Sequence, residues 1–283
     1  MLRANVTDLI VKLALREDVG SRDVTTSSII PKNAHVKAEI EAKASGVLCG
    51  IEIAELVFRY VDENVRFLPV GKDGDALEPG QEIAYIEGSA ASVLIAERTA
   101  LNFMSHLSGI ATLTRQFVDK VKGTPAKILD TRKTTPNLRI LEKYAVKTGG
   151  GTNHRAGLFD QVLIKDNHLK ILRNEKIVDI VATAKRTVQK SMPVGIEIKN
   201  LKELEEALKT KADYILLDNM KPEMVKQCLQ LRAQAGKKIP FEVSGGINLD
   251  NVRSYAELGV ERISIGGLTH TAPALDISLD IVG

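Results

Sequence analysis

From Gly123 onward the chain repeats one short phrase: KILD, VLIK, GIEIK, YILLD, FEVS and RISI are apolar runs separated by helical patterns such as NLRILEKYAVK and LKELEEALKTK. Strands this short and this apolar are buried on both faces, and a parallel neighbour needs a helical crossover to reach it. The rhythm therefore predicts repeated βα units around a parallel sheet. Six strands begin near Lys127, Val162, Gly195, Tyr214, Phe241 and Arg262. Six falls short of the eight of a complete barrel, so the expected architecture is an incomplete α/β barrel, with an open doubly wound sheet as the alternative.

The ends of the six runs favour the barrel. Each closes on polar, charged or glycine residues: Asp130 with Arg132 and Lys133, Lys165 with Asp166, Glu197 with Lys199, Asp218 with Asn219, Ser244 with Gly245 and Gly246, and Gly266 with Gly267. The C-terminal face of an α/β barrel collects the loops of every strand, and the active site forms there. FEVSGGIN and ISIGG end successive strands in paired glycines, which let backbone N–H groups approach an anion, and the loops after the last barrel strands commonly hold phosphate. Glu197 and Asp218 end adjacent strands, and two carboxylates converging on a phosphate site repel unless a cation intervenes. Mg²⁺ carried by a pyrophosphate fits them; an ion pair with a lysine such as Lys199 is the structural alternative.

The stretch KTGGGTNHRAGLFDQVLIKDNH, between the first two strands, places three glycines beside His154 and Arg155 and leads to Lys165. With Arg132 and Lys133 these cations surround the barrel mouth, so the ligand should be a polyanion carrying carboxylates as well as phosphates. The glycines end the preceding helix, and because one suffices for a cap, three indicate a flexible or tightly apposed loop. Among the histidines of these loops His154 suits substrate contact and His168 a structural hydrogen bond, while His35 and His106 are assigned to structure.

The part before Gly88 is a small α+β region, with a helix from Thr7 and a strand in which Val36, Ala38, Ile40 and Ala42 alternate with polar residues. A long helix, Ala90 to Gly123, is apolar through its middle on nearly every face and should be buried on several sides. The expected division is an N-terminal, sandwich-like α+β domain over residues 1–110, with 274–283 returning to it as a strand, and a barrel over 111–273. A net charge of +3 in 283 residues excludes nucleic acid or an anionic membrane as the main partner. No apolar run approaches the roughly 20 residues that span a bilayer, and the N-terminus does not resemble a signal peptide. Cys49 and Cys228 follow no metal-ligand spacing, which suits a reducing, cytoplasmic setting.

LDTRKTTPNLRILEKYAVKTGGGTNHRAGLFDQVLIKDNH, followed by IEIKN, ILLDNM, VSGGIN and ISIGGLTH, closely resembles the quinolinate phosphoribosyltransferase family. EDVGSRDVTT, ASGVLCGIEIAELVF and AERTALNFMSHLSGIATLT resemble the same family, so the likeness spans nearly the whole chain. The resemblance implies transfer of phosphoribosyl from phosphoribosyl pyrophosphate to quinolinate with Mg²⁺, releasing pyrophosphate and carbon dioxide and leaving nicotinate mononucleotide for NAD biosynthesis. It assigns Arg132, His154, Arg155 and Lys165 to the pyridine dicarboxylate, and Lys133 to a place near both substrates. Glu197 and Asp218 fall to the ribose hydroxyls and Mg²⁺, with Lys133, Glu197 and Asp218 as the catalytic group. Ser244, Gly245, Gly266, Gly267 and His270 fall around the 5′-phosphate.

Arg98 lies in the long apolar helix, where a guanidinium is costly unless an anion meets it. A buried salt bridge is one reading; the resemblance implies instead that Arg98 completes the quinolinate site of a neighbouring subunit in a homodimer, with assembly beyond dimers left open. Competing functions are a phosphoribosyltransferase acting on nicotinate or another pyridine acid, a homologue associated with molybdate uptake, a Schiff-base enzyme using Lys165, and a non-catalytic module binding a phosphorylated metabolite.

Overall fold

The computed structural model describes residues 4–283, so the first three residues of the expected 1–110 domain lie outside the described residues. In chain order the helices are α1 (Ala4–Val19), α2 (Val24–Ile29), α3 (Ile51–Val61), α4 (Ala90–Lys120), α5 (Arg139–Thr148), α6 (Asp166–Ile171), α7 (Ile177–Thr187), α8 (Leu201–Ala207), α9 (Pro222–Gln234), α10 (Val252–Glu257) and α11 (Gly267–His270). The strands are β1 (His35–Ala42), β2 (Gly46–Val47), β3 (Arg66–Pro69), β4 (Ala76–Leu77), β5 (Glu82–Ser89), β6 (Lys127–Leu129), β7 (Val162–Ile164), β8 (Val194–Ile198), β9 (Tyr214–Asp218), β10 (Phe241–Ser244), β11 (Arg262–Ser264) and β12 (Ile277–Ile281). They gather into two compact units.

The first unit holds residues up to Arg115 together with 134–150 and 268–283. Its antiparallel sheet runs β12-β1-β5-β3, and β2 and β4 form a separate ribbon. Alternation in β1 sends Ala38, Ile40 and Ala42 inward, as the period of two requires. Through α4 the apolar positions Val93, Ala96, Ala100, Met104, Leu107, Ile110 and Ala111 are almost wholly buried. Asp73 caps α3 from a neighbouring loop, accepting from the backbone of Gly50 at 2.9 Å and Ile51 at 3.0 Å and from the Tyr144 hydroxyl at 2.8 Å. That last bond helps hold α5 in this unit, so residues 134–150 part from a single cut at residue 110. The physical reason is burial: Leu141, Ala145 and Val146 of α5 belong to this core.

The second unit, residues 116–133 and 151–267, contains a six-stranded parallel sheet in the order β6-β11-β10-β9-β8-β7. The last strand of the series lies beside the first, which is the order of a barrel opened between its first and second strands; a doubly wound sheet would place its early strands at the centre. Registers sort the residues into two faces. One row runs Ile198, Leu217, Val243, Ile263 and Ile128, every member nearly or wholly buried. The opposite face carries Glu197, Leu216, Glu242 and Arg262 side by side, and beyond them Asp218, Ser244 and Ser264. The polar residues thus share the inner face of the incomplete barrel.

Candidate active site

Two carboxylates stand on this inner face at the ends of adjacent strands. Glu197 is buried and its carboxylate lies 3.2 Å from the Lys165 ammonium. Lys199, the partner weighed for Glu197 from the sequence, turns to Asp166 at 2.8 Å instead. The hydrogen bond to Asp166 dominates the forces that raise the Lys199 pKa, and the charges of Asp218 and Glu197 add to it. Lys199 and then Lys170 hold Asp166 far below the ordinary carboxylate range.

The glycine loops follow on the next strands. Gly245 and Gly246 have φ of 95° and 64°, in the left-handed region that favours glycine. A Cβ on Gly245 would stand 3.0 Å from the Asn219 Cα, so the loop after β10 is pressed against the loop after β9. Asn219, itself at φ 55°, donates its backbone N–H to the Ser244 carbonyl at 2.7 Å. Gly266 and Gly267 follow β11, and Gly267 begins α11.

Arg132 and Lys133 leave the end of β6, Arg132 half-buried and Lys133 exposed. Arg155 is buried, and its guanidinium pKa is lowered first by that burial and then by the positive charge of Arg132. Two guanidiniums that repel each other in a partly dry place are the arrangement an incoming anion relieves.

His154 meets the protein through both ring nitrogens. Its Nδ1 accepts the Arg155 backbone N–H at 2.7 Å, and its Nε2 lies 3.3 Å from the Glu242 carboxylate. Both ring nitrogens are committed to the protein, which leaves neither to donate to a substrate carboxylate. His168 accepts the Lys165 backbone N–H at 2.8 Å and caps α6, a structural bond. Arg98 and His270 belong to the first unit. The buried guanidinium expected at Arg98 is not found: 64% of the side chain is exposed, and its ion-pair partner is the adjacent Glu97 at 3.7 Å, because this part of α4 turns position 98 outward. His270 is exposed at the end of α11.

Sequence reasoning passed over Glu242, Arg262, Tyr214 and Gln161, which line the inner face around His154. In FEVS and RISI the charged residue occupies the same phase as the serine two places on, but strands so short do not say which phase faces inward. Burial pushes the Glu242 carboxyl up, but the hydrogen bond from His154, then Arg262 and Ser264, hold it below the usual range.

Among the described residues no group of three or more His, Cys, Asp and Glu is arranged to hold a metal ion, and no helix is long and apolar enough to cross a membrane. Four cations, a carboxylate pair and two glycine turns at the strand ends of one barrel define an α/β-barrel enzyme that handles phosphate and carboxylate together.

The comparisons narrow the class. The family profile described as quinolinate phosphoribosyl transferase, N-terminal domain, matches residues 23–108, and that of the C-terminal domain matches 110–280. The chain belongs to the quinolinate phosphoribosyltransferase family. It is 43% identical over 279 residues to a probable carboxylating nicotinate-nucleotide pyrophosphorylase of Methanocaldococcus jannaschii, covering 96% of each chain. It is 40% identical over 274 residues to the carboxylating nicotinate-nucleotide pyrophosphorylase of Mycobacterium leprae, covering 96% of this chain and 95% of that one. The structure of the nicotinate-nucleotide pyrophosphorylase from Francisella tularensis superposes with a TM-score of 0.92 at 34% identity, over 100% of this chain and 98% of that one.

Proposed function

We propose that this chain transfers the phosphoribosyl group of phosphoribosyl pyrophosphate to quinolinate and releases pyrophosphate and carbon dioxide, leaving nicotinate mononucleotide, a step of NAD biosynthesis. The observation that carries the reading is the gathering of Arg132, buried Arg155 and Lys165 at the ends of the same barrel's strands that carry Glu197 and Asp218, which suits a dicarboxylate beside a phosphate site. Relatives bearing the word carboxylating in their names support it.

In this reading Arg132, Arg155 and Lys165 bind the two carboxylates of quinolinate, and Lys133 stands between the substrates. Ser244, Gly245, Gly266 and Gly267 surround the 5′-phosphate. Glu197 and Asp218, at the ends of adjacent strands on the inner face, fit Mg²⁺, which takes one or two carboxylates and completes its shell with phosphate oxygens and water. Glu197 and Asp218 would hold it, and when bound it supplies neutralisation of the pyrophosphate charge.

The bond from ribose C1 to the pyrophosphate oxygen breaks with its electron pair leaving on pyrophosphate, and the pyridine nitrogen lone pair forms the new bond to C1. Arg132, Arg155 and Lys165 fix the ring so that its nitrogen meets C1, and Glu197 and Asp218 place negative charge beside the developing cation. The C2 carboxylate then departs as carbon dioxide. Its electron pair stays on C2, beside the positive pyridinium nitrogen, until a proton from water replaces it.

The working unit is a homodimer, each quinolinate site completed by Arg98 of the neighbouring subunit, and it acts in the cytoplasm. The outward-turned Arg98 and two buried free cysteines support these readings. The test is product identity. Purified protein given quinolinate, phosphoribosyl pyrophosphate and Mg²⁺ should form nicotinate mononucleotide with one pyrophosphate and one carbon dioxide per turnover; no nucleotide under these conditions overturns the proposal.

A further inference from the structure

Glu242 has no part in the chemistry above, yet it is fully buried at the centre of the inner face. An ionised carboxylate in such a place is costly unless donors surround it. Three do: His154 Nε2 at 3.3 Å, Arg262 Nε at 2.6 Å and the Ser264 hydroxyl. Because the Arg155 backbone N–H donates to His154 Nδ1, that nitrogen carries no proton, and the hydrogen bonds assign the proton to Nε2, which donates to Glu242.

The contacts close into a ring. Glu242 holds His154, whose ring nitrogen holds the Arg155 backbone; the Arg155 guanidinium donates to the Gln161 carbonyl at 3.3 Å, and the Gln161 amide donates to the Tyr214 hydroxyl. The Tyr214 ring meets the edge of His154 with centroids 6.0 Å apart, and the Arg262 guanidinium lies 4.6 Å from its centre before returning to Glu242. A further bond, His154 N–H to Asp130 at 2.8 Å, ties the same segment to the end of β6.

We infer that Glu242 is a positioning residue for quinolinate binding: acting through His154, it fixes the backbone of Arg155 and with it the direction of the buried guanidinium. This rests on the reading of the site as a quinolinate site. The chemistry requires an acceptor-only group, since all three partners donate, and a glutamine would turn an amide N–H toward one of them.

The test uses Glu242→Gln, and His154→Ala as a second variant whose change lies in a loop and spares the sheet. Each should raise KM for quinolinate about tenfold, the effect of one lost charge-assisted bond, with kcat and KM for phosphoribosyl pyrophosphate little changed. Glu242→Gln combined with His154→Ala should be no worse than His154→Ala, because the glutamate acts through the histidine. In the ligand-free protein, amide exchange across residues 152–161 should quicken in Glu242→Gln and stay as in the wild type elsewhere. A large defect in His154→Ala that Glu242→Gln does not share would make His154 a substrate ligand and overturn the proposal. Unchanged exchange across 152–161 would overturn it as well, whether or not the wild type uses quinolinate, and failure of the wild type to turn over quinolinate would overturn the functional reading alone.

Discussion

Arg155 sits where burial and the charge of Arg132 both disfavour its protonated form, so a carboxylate that joins them gains more than it would from an exposed arginine. Arg155→Ala should cost about 1.5–3 kcal/mol of quinolinate binding, a KM rise of tenfold or more, while KM for phosphoribosyl pyrophosphate holds. Steady-state kinetics with each substrate varied in turn checks this, and equal losses for both substrates would contradict it. Glu242 gives a prediction in pH. Its folded-state pKa lies below the unfolded value, so its contribution to stability is present above the ordinary carboxylate range and lost as pH falls through the depressed folded value. The urea midpoint of the wild type should therefore exceed that of Glu242→Gln near neutrality, and the gap should close in acid; a constant gap would contradict the linkage. At this scale the mouth positions were readable because polar, charged or glycine residues close all six apolar runs. Glu242 and Arg262 were not, because a strand of three or four residues shows too little alternation to reveal which of its members face inward.

The run of three glycines resolves at the level of the helix it ends. Gly149 has an ordinary φ of −69°, but a Cβ there would lie 2.4 Å from the Ala111 carbonyl and 2.7 Å from the Thr114 side chain, so α5 needs glycine to lie against α4. Gly150, at φ 94°, supplies the left-handed turn. Gly149→Ala should destabilise the protein by about 1–3 kcal/mol through overpacking against backbone that cannot yield. Chemical denaturation measures it, and wild-type stability would show that α5 shifts freely. Composition could distinguish a tight loop from a simple cap, but not which partner presses on which glycine, since Ala111 is remote in sequence. The six barrel strands, by contrast, begin at or within one residue of the expected positions, because their apolar runs are bounded on both sides by turn formers.

Across the whole molecule, the sequence rhythm carried the class of fold, whereas the adjacency of β6 and β11 came only with the structure, since closing first strand on last is a tertiary event with no local signature. The outward Arg98 leads to a prediction about assembly. Arg98→Ala and Lys133→Ala, each inactive alone, should on random subunit exchange regain roughly a quarter of wild-type sites, because half the dimers are mixed and each of those holds one intact site. No recovery despite demonstrated exchange would confine Arg98 to its own chain. The second carboxylate of the substrate is what the cations of the mouth are built to meet, and the ratio of kcat/KM for quinolinate to that for nicotinate measures it directly. Loss of one carboxylate should cost at least one charge-assisted contact, so quinolinate should be preferred by about tenfold or more. A ratio near one, or a preference for nicotinate, would contradict a dicarboxylate site and with it the decarboxylating reaction.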